Sequence, residues 1–217
     1  MAKFITPTEG GKTYELTPAG MYASRCVSFF DLGHQETEWD GVKSLKRLVR
    51  IGWEIPELPY TWEDKDTGET KEGVKIVSRE YTNSFGEKAN LTKDLNSWLG
   101  KIPEDFDPEK HLLGKECMIN IQHATSKKNG KDYAKITAIT PLPKGMKCGD
   151  QVNENSFYYM GEEGTTENYP DMTGLDTLPP FVQEKILQSK QANMSTKVDD
   201  KKESKTTETA KEVFGDV

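Results

Sequence analysis

Five runs of alternating apolar and polar residues, with one helical stretch between the third and fourth, constrain this chain more than any other feature. Alternation with period two is the mark of a half-buried strand. The first run, Gly20 to Leu32, carries Tyr22, Val27, Phe29 and Phe30 and switches parity midway, as a strand bending around a barrel corner must. A polar loop from Gly33 to Gly41 follows, with Trp39 near its tip. In the second run, Lys43 to Ile55, Leu45, Val49, Ile51, Trp53 and Ile55 share one face, and Lys46, Arg50 and Glu54 the other. A long acidic connection with a turn at Asp66-Thr67-Gly68 leads to a third strand from about Val74 to Thr82.

Ser84-Phe85-Gly86-Glu87 has the form of a capping box opening a helix. Leu91, Leu95, Trp98 and Leu99 give that helix one apolar stripe, and Gly100 and Pro103 stop it. A fourth strand turns Cys117, Ile119 and Ile121 inward. Asn129-Gly130 tips a hairpin, and a fifth strand places Ala134, Ile136 and Ala138 inward with Tyr133, Lys135 and Thr137 outward.

This order predicts an all-β fold with one inserted helix: a five-stranded OB-type barrel over residues 20–143, its helix closing the barrel bottom. A ferredoxin-like fold needs two helices, and an SH3-like barrel none. Residues 1–19 read as an extended arm and 144–188 as an acidic extension. The extension ends in a short helix capped by Thr177, with Pro179 and Pro180 in its first turn and Phe181, Val182, Ile186 and Leu187 on its apolar side. Residues 189–217, rich in Lys, Asp, Glu, Ser and Thr, are expected to be disordered.

Several functional classes lose their footing. The longest apolar run falls short of the roughly 20 residues a membrane span needs, and no signal core follows Met1. Cys26, Cys117 and Cys148 form neither an even set nor a CxxC pair, and His34, His111 and His123 are scattered. Neither a disulfide framework nor a metal site is expected, and the compartment is read as a reducing cytoplasm. Phosphate-loop, zinc-protease and serine-nucleophile motifs are absent, so no enzyme activity and no cofactor are expected.

The net charge of −7 argues against a nucleic-acid binder until its distribution is examined. Asp150 to Asp176 holds seven acids and no base, and so accounts for the whole deficit. Elsewhere Lys43, Lys46, Arg47 and Arg50 lie on the second strand and its approach, and Lys127, Lys128, Lys131 and Lys135 on the last hairpin. An OB barrel binds oligonucleotides near both places. Arg25 and Arg79 extend the track. Trp39, Tyr133 and Phe85 are the candidate stacking platforms, whereas Trp53 and Trp98 sit on core-facing stripes.

Gly20-Met-Tyr-Ala-Ser-Arg-Cys-Val27, Ser84-Phe-Gly-Glu-Lys-Ala-Asn-Leu-Thr-Lys-Asp-Leu-Asn-Ser-Trp98, Leu113-Gly-Lys-Glu-Cys117, Thr140-Pro-Leu-Pro-Lys-Gly-Met146 and Thr177-Leu-Pro-Pro-Phe-Val-Gln-Glu-Lys-Ile186 together resemble a group of tailed-bacteriophage single-stranded-DNA-binding, replication-associated OB proteins. The resemblance covers roughly residues 20–187. It implies a protein of the host bacterial cytoplasm that coats single-stranded DNA in phage replication or recombination, with replication or recombination proteins as further partners. Phe181 and the near-terminal Phe214 are the candidate partner contacts. A protein-interaction module working through the acidic segment is the alternative, and a metal-dependent nuclease the third reading. The acidic segment either competes for the basic groove or is a solvated linker.

Overall fold

A computed structural model describes residues 16–39, 41–63, 67–126, 129–163 and 169–193. Strands β1 (Gly20–Trp39), β2 (Val42–Glu63), β3 (Thr70–Thr82), β4 (Glu116–Thr125) and β5 (Asp132–Thr140) form one curled antiparallel sheet in the order β3-β2-β1-β4-β5. The result is a five-stranded half-barrel, compatible with an OB-type barrel. Helices α1 (Asn90–Leu99) and α2 (Pro108–Leu112) lie between β3 and β4. The edges β3 and β5 are not paired; α1 packs against both.

β1 makes the curl possible. Its first residues, Gly20 to Arg25, pair with β4, and from Arg25 onward it pairs with β2. Register breaks at Cys26/Ser28 and Asp31/Gly33. A bulge turns the side-chain parity over, which is how Cys26 and Phe29 both reach the core. The parity switch was legible; its extent was not. Most of the predicted polar loop 33–41 is strand: β1 runs to Trp39, which pairs with Val42, and Gly41 turns the chain at φ 74°. Glycine adopts that left-handed conformation without steric cost. Likewise, β2 and β3 continue past Ile55 and Val74 into a second arm, pairing Pro59–Glu63 with Thr70–Val74 beyond an irregularity at Ile55/Pro59.

The main core holds Val49, Ile51, Trp53 and Ile55 of β2, Leu91, Leu95 and Trp98 of α1, and Cys117, Ile119 and Ile121 of β4. Trp98 packs edge-on to Trp53 at 6.1 Å and donates its indole N–H to the Glu116 carbonyl at 2.9 Å.

Local predictions failed where tertiary contacts outweigh end signals. α1 starts at Asn90 after Ala89, without a side-chain cap, so Ser84–Glu87 is no capping box. Residues 83–89 are a loop whose Ser84 carbonyl accepts the Thr92 hydroxyl. The single inserted helix expected from the sequence is joined by a second: Asp107 caps α2 by accepting from Glu109 N and Lys110 N, and Pro108 opens it. A register shift at Asn120/Ile121 turns Ile139 inward and leaves Ala138 opposite Asn120, against the predicted inward Ala138.

The extension is a working part of the fold. β6 (Ser156–Tyr158) pairs in parallel with Ser28–Phe30 of β1. Tyr158, Met160, Leu178, Val182 and Ile186 then bury Phe30 and Leu32 on the sheet face opposite the main core. Helix α3 (Pro180–Leu187) begins after Pro179; Thr177 ends a preceding 3-10 turn and does not cap it. Phe181 and Leu187 remain more than half exposed, so only Val182 and Ile186 form its apolar side. Order also continues past 189, where Ser189, Gln191 and Ala192 are buried and Gln191 Oε1 accepts from His34 N.

Candidate nucleic-acid interface

The basic residues divide by type. All four arginines brace the fold. Arg47 donates from Nε and Nη2 to the Asp31 carboxylate (3.2 and 2.5 Å), from Nη1 to Glu162 (2.7 Å) and from Nη2 to the Gly161 carbonyl (2.7 Å). Its guanidinium lies 5.3 Å from the Tyr159 ring centre. Asp31 is fully buried and also accepts from Gly33 N and Met160 N. Burial alone would lower the Arg47 pKa, but the hydrogen bond and charge of Asp31, with Glu162 behind them, outweigh it and hold the guanidinium charged. A planar fork that bonds two carboxylates at once is why arginine serves here.

Arg50 pairs with Glu80 (3.0 Å) and lies under Phe181, 4.9 Å from the ring centre. Glu80 also takes Lys185 of α3 at 3.5 Å. Arg25 donates to the Gly114 and Gly149 carbonyls (3.1 Å each) and to Glu116 (2.9 Å). Arg79 bonds Asp94 of α1 (2.8 Å) and the Ile136 carbonyl of β5 (3.4 Å), and so spans the open seam between β3 and β5. Tyr81 donates to the same Asp94; its burial first, and the Asp94 charge second, raise its pKa.

The lysines are different. Lys43 and Lys46 lie on the β1–β2 arm, and Lys131 and Lys135 on the β4–β5 hairpin; all four are exposed. None has a salt-bridge partner among the described residues. Register splits the first pair: Lys43 stands opposite Glu38 on the Arg47 side of the ribbon, and Lys46 opposite Gln35 on the other. On the other hairpin, Tyr133 (43% exposed) and Lys135 share one face of β5, with Lys131 just before the strand.

Phe85 is half exposed, edge-on to Phe106 at 5.7 Å, and Phe106 stacks on His111. The Trp39 side chain, Lys127, Lys128 and Phe214 lie outside the described residues. Trp53 and Trp98 are core, as their stripes implied. Two exposed aromatics were missed: Tyr60 and Trp62 on the β2–β3 arm stack with ring centres 5.1 Å apart. Leu58, Tyr60 and Trp62 do alternate, but prolines and acids around them disguise the strand.

The outward face of β2 is not a free groove. Glu54, on the polar face of the second run with Lys46 and Arg50, is fully buried and accepts from Val152 N, Asn153 N and Asn153 Nδ2. The acidic extension is therefore no loose linker in its described part. Its Glu162 holds Arg47, while Asp171 accepts from Thr173 N in a local exposed turn, a bond that lowers the Asp171 pKa. Among the described residues, no three His, Cys, Asp or Glu side chains converge to hold a metal ion, and no helix is long and apolar enough to cross a membrane. The chain matches no protein-family model and no curated protein sequence.

Proposed function

We propose that this chain is a sequence-tolerant single-stranded-DNA-binding protein built on an OB-type barrel, coating strands in phage DNA replication or recombination. One observation carries the reading: Lys43, Lys46, Lys131 and Lys135 stand exposed, without a carboxylate partner among the described residues, on two hairpin arms of the barrel. Strand order supports it too, since these arms are the β1–β2 and β4–β5 hairpins that flank the oligonucleotide face of OB barrels. Lysine ammonium groups neutralise phosphates without reading sequence, and release of the counterions favours binding. Tyr133, beside Lys135, offers a ring on which any base stacks. The arginines take no part, because displacing Arg47 from the buried Asp31, Arg79 from Asp94, Arg25 from Glu116 and Arg50 from Glu80 would undo pairs that tie separate elements of the fold together.

The test is a polarisation titration with labelled oligo(dT), matched duplex and matched RNA across a salt series. Single strands should be preferred over duplex. Reversing Lys43, Lys46, Lys131 and Lys135 to Glu should flatten the log–log salt slope by about 0.7 for each phosphate no longer neutralised, roughly 2 to 3 in all. Equal affinity for duplex, or an unchanged slope in the reversed variant, would overturn the proposal.

A further inference from the structure

We infer that Tyr60 and Trp62 form a base-stacking ledge on the β2–β3 arm, a second contact for single-stranded nucleic acid away from the lysine arms; the inference rests on the single-strand reading above. The local geometry begins with Gly73. In the β2–β3 ladder, Tyr60 stands opposite Gly73 and Trp62 opposite Lys71. A Cβ on Gly73 would sit 3.0 Å from the Trp62 ring, tighter than ordinary contact, so the glycine lets the indole lie close across the ribbon. Tyr60 then stacks on it with 25° between the planes. Both rings keep about 40% of their surface exposed, among the larger aromatic exposures of the described chain.

The arm is acidic by sequence, with Glu57, Glu63, Glu69 and Glu72. The ladder places Glu72 opposite Thr61 and Glu63 opposite Thr70, on the face away from the rings. The ring face offers a flat, held, partly apolar surface, which suits the π-face of a nucleobase. Sequence tolerance follows, because every base has a π-face. Packing over Gly73 explains why the rings are held, but uses only one side of the pair and leaves the rest in water.

The test compares the full chain with Tyr60→Ala/Trp62→Ala on oligo(dT) and on an abasic strand of the same length. The double variant should bind oligo(dT) about ten- to a hundredfold more weakly, the span expected for about one stacked base. On the abasic strand the two proteins should bind alike. Gly73→Ala, which keeps both rings and shifts Trp62 only slightly, should weaken oligo(dT) binding far less than the double variant, and Trp62→Phe should retain most of it. If the native chain binds oligo(dT) and the double variant matches it, the ledge is wrong and the single-strand reading stands. Equal losses on both strands would also sink the ledge, because the arm would then act without bases. A native chain that binds no strand overturns both.

Discussion

The sheet face under the extension and the hairpin arms are built from similar residues and have opposite characters. Under the extension, arginine charges are met at once by Asp31, Glu80 and Glu162 and are shielded by Tyr159 and Phe181. On the arms, lysine charges and aromatic rings are left to solvent. Charge density along the chain is therefore a poor guide to where a polyanion binds. What matters is whether a folded neighbour has already satisfied the charge. Arginine, with a rigid fork and weaker hydration, accepts burial beside carboxylates; lysine, compact and strongly hydrated, stays outside.

The hardest test of the contrast removes the extension. Truncation after Gly149 strips the partners of Phe30 and Leu32, takes both backbone donors from Glu54 and leaves Asp31 without Met160 N. Burial of several large apolar side chains contributes roughly 1.5–3 kcal/mol each, a sum comparable to a whole domain's stability. The truncated chain should fail to give a cooperative melt by circular dichroism. A cooperatively folded truncation of near-native Tm would show the extension to be an accessory.

Arg47→Ala is the next largest. It leaves Asp31 buried without its cation and should cost about 3–5 kcal/mol in denaturant unfolding. Its oligo(dT) affinity, measured on the folded fraction, should stay within about twofold. The four-lysine reversal described above should behave the other way, moving binding and sparing stability. A variant of Arg47 that folds well and binds poorly would erase the distinction between brace and arm.

The smallest effect is on pH. Burial first, then the charges of Asp171 and Asp31, push Tyr158 up to about 12; burial, then the hydrogen bond and charge of Glu162, push Tyr159 to about 12. Unfolded tyrosine titrates near 10. The docked state therefore holds these protons longer, and its advantage is complete below pH 10 and lost as pH rises from 10 to 12. Tm should fall across that window. Tyr158→Phe should flatten part of the fall, by about 1 kcal/mol once solvent screening is allowed for.

Most of the barrel was legible because half-buried strands write their burial into the chain as alternation. Val49 to Ile55, Cys117 to Ile121 and the Leu91–Trp98 stripe each lie where the pattern puts them. The arms were harder to read: Gly33 to Gln35 are covered through polar contacts with Gln191 and Lys185, and the alternation of Leu58, Tyr60 and Trp62 is short and set among prolines and acids, so neither stretch carries a long apolar pattern. Among the candidate site residues, the sequence could not separate the exposed Lys43, Lys46, Lys131, Tyr133 and Lys135 from Arg25, Arg47, Arg50 and Arg79, which are paired with carboxylates. That separation depends on Glu116, Asp31 with Glu162, Glu80 and Asp94, carboxylates between 15 and 115 positions away.

The sequence by itself determined the alternation, the order of strands about one long helix, and the balance of charges, because these depend only on neighbours along the chain. Tertiary structure alone decided that an acidic, polar-looking extension closes a second core over Phe30 and Leu32, and that Glu54 is buried while Tyr60 and Trp62 are not. Whether a side chain meets water or a partner depends on distant segments that fold against it, and no local pattern records them.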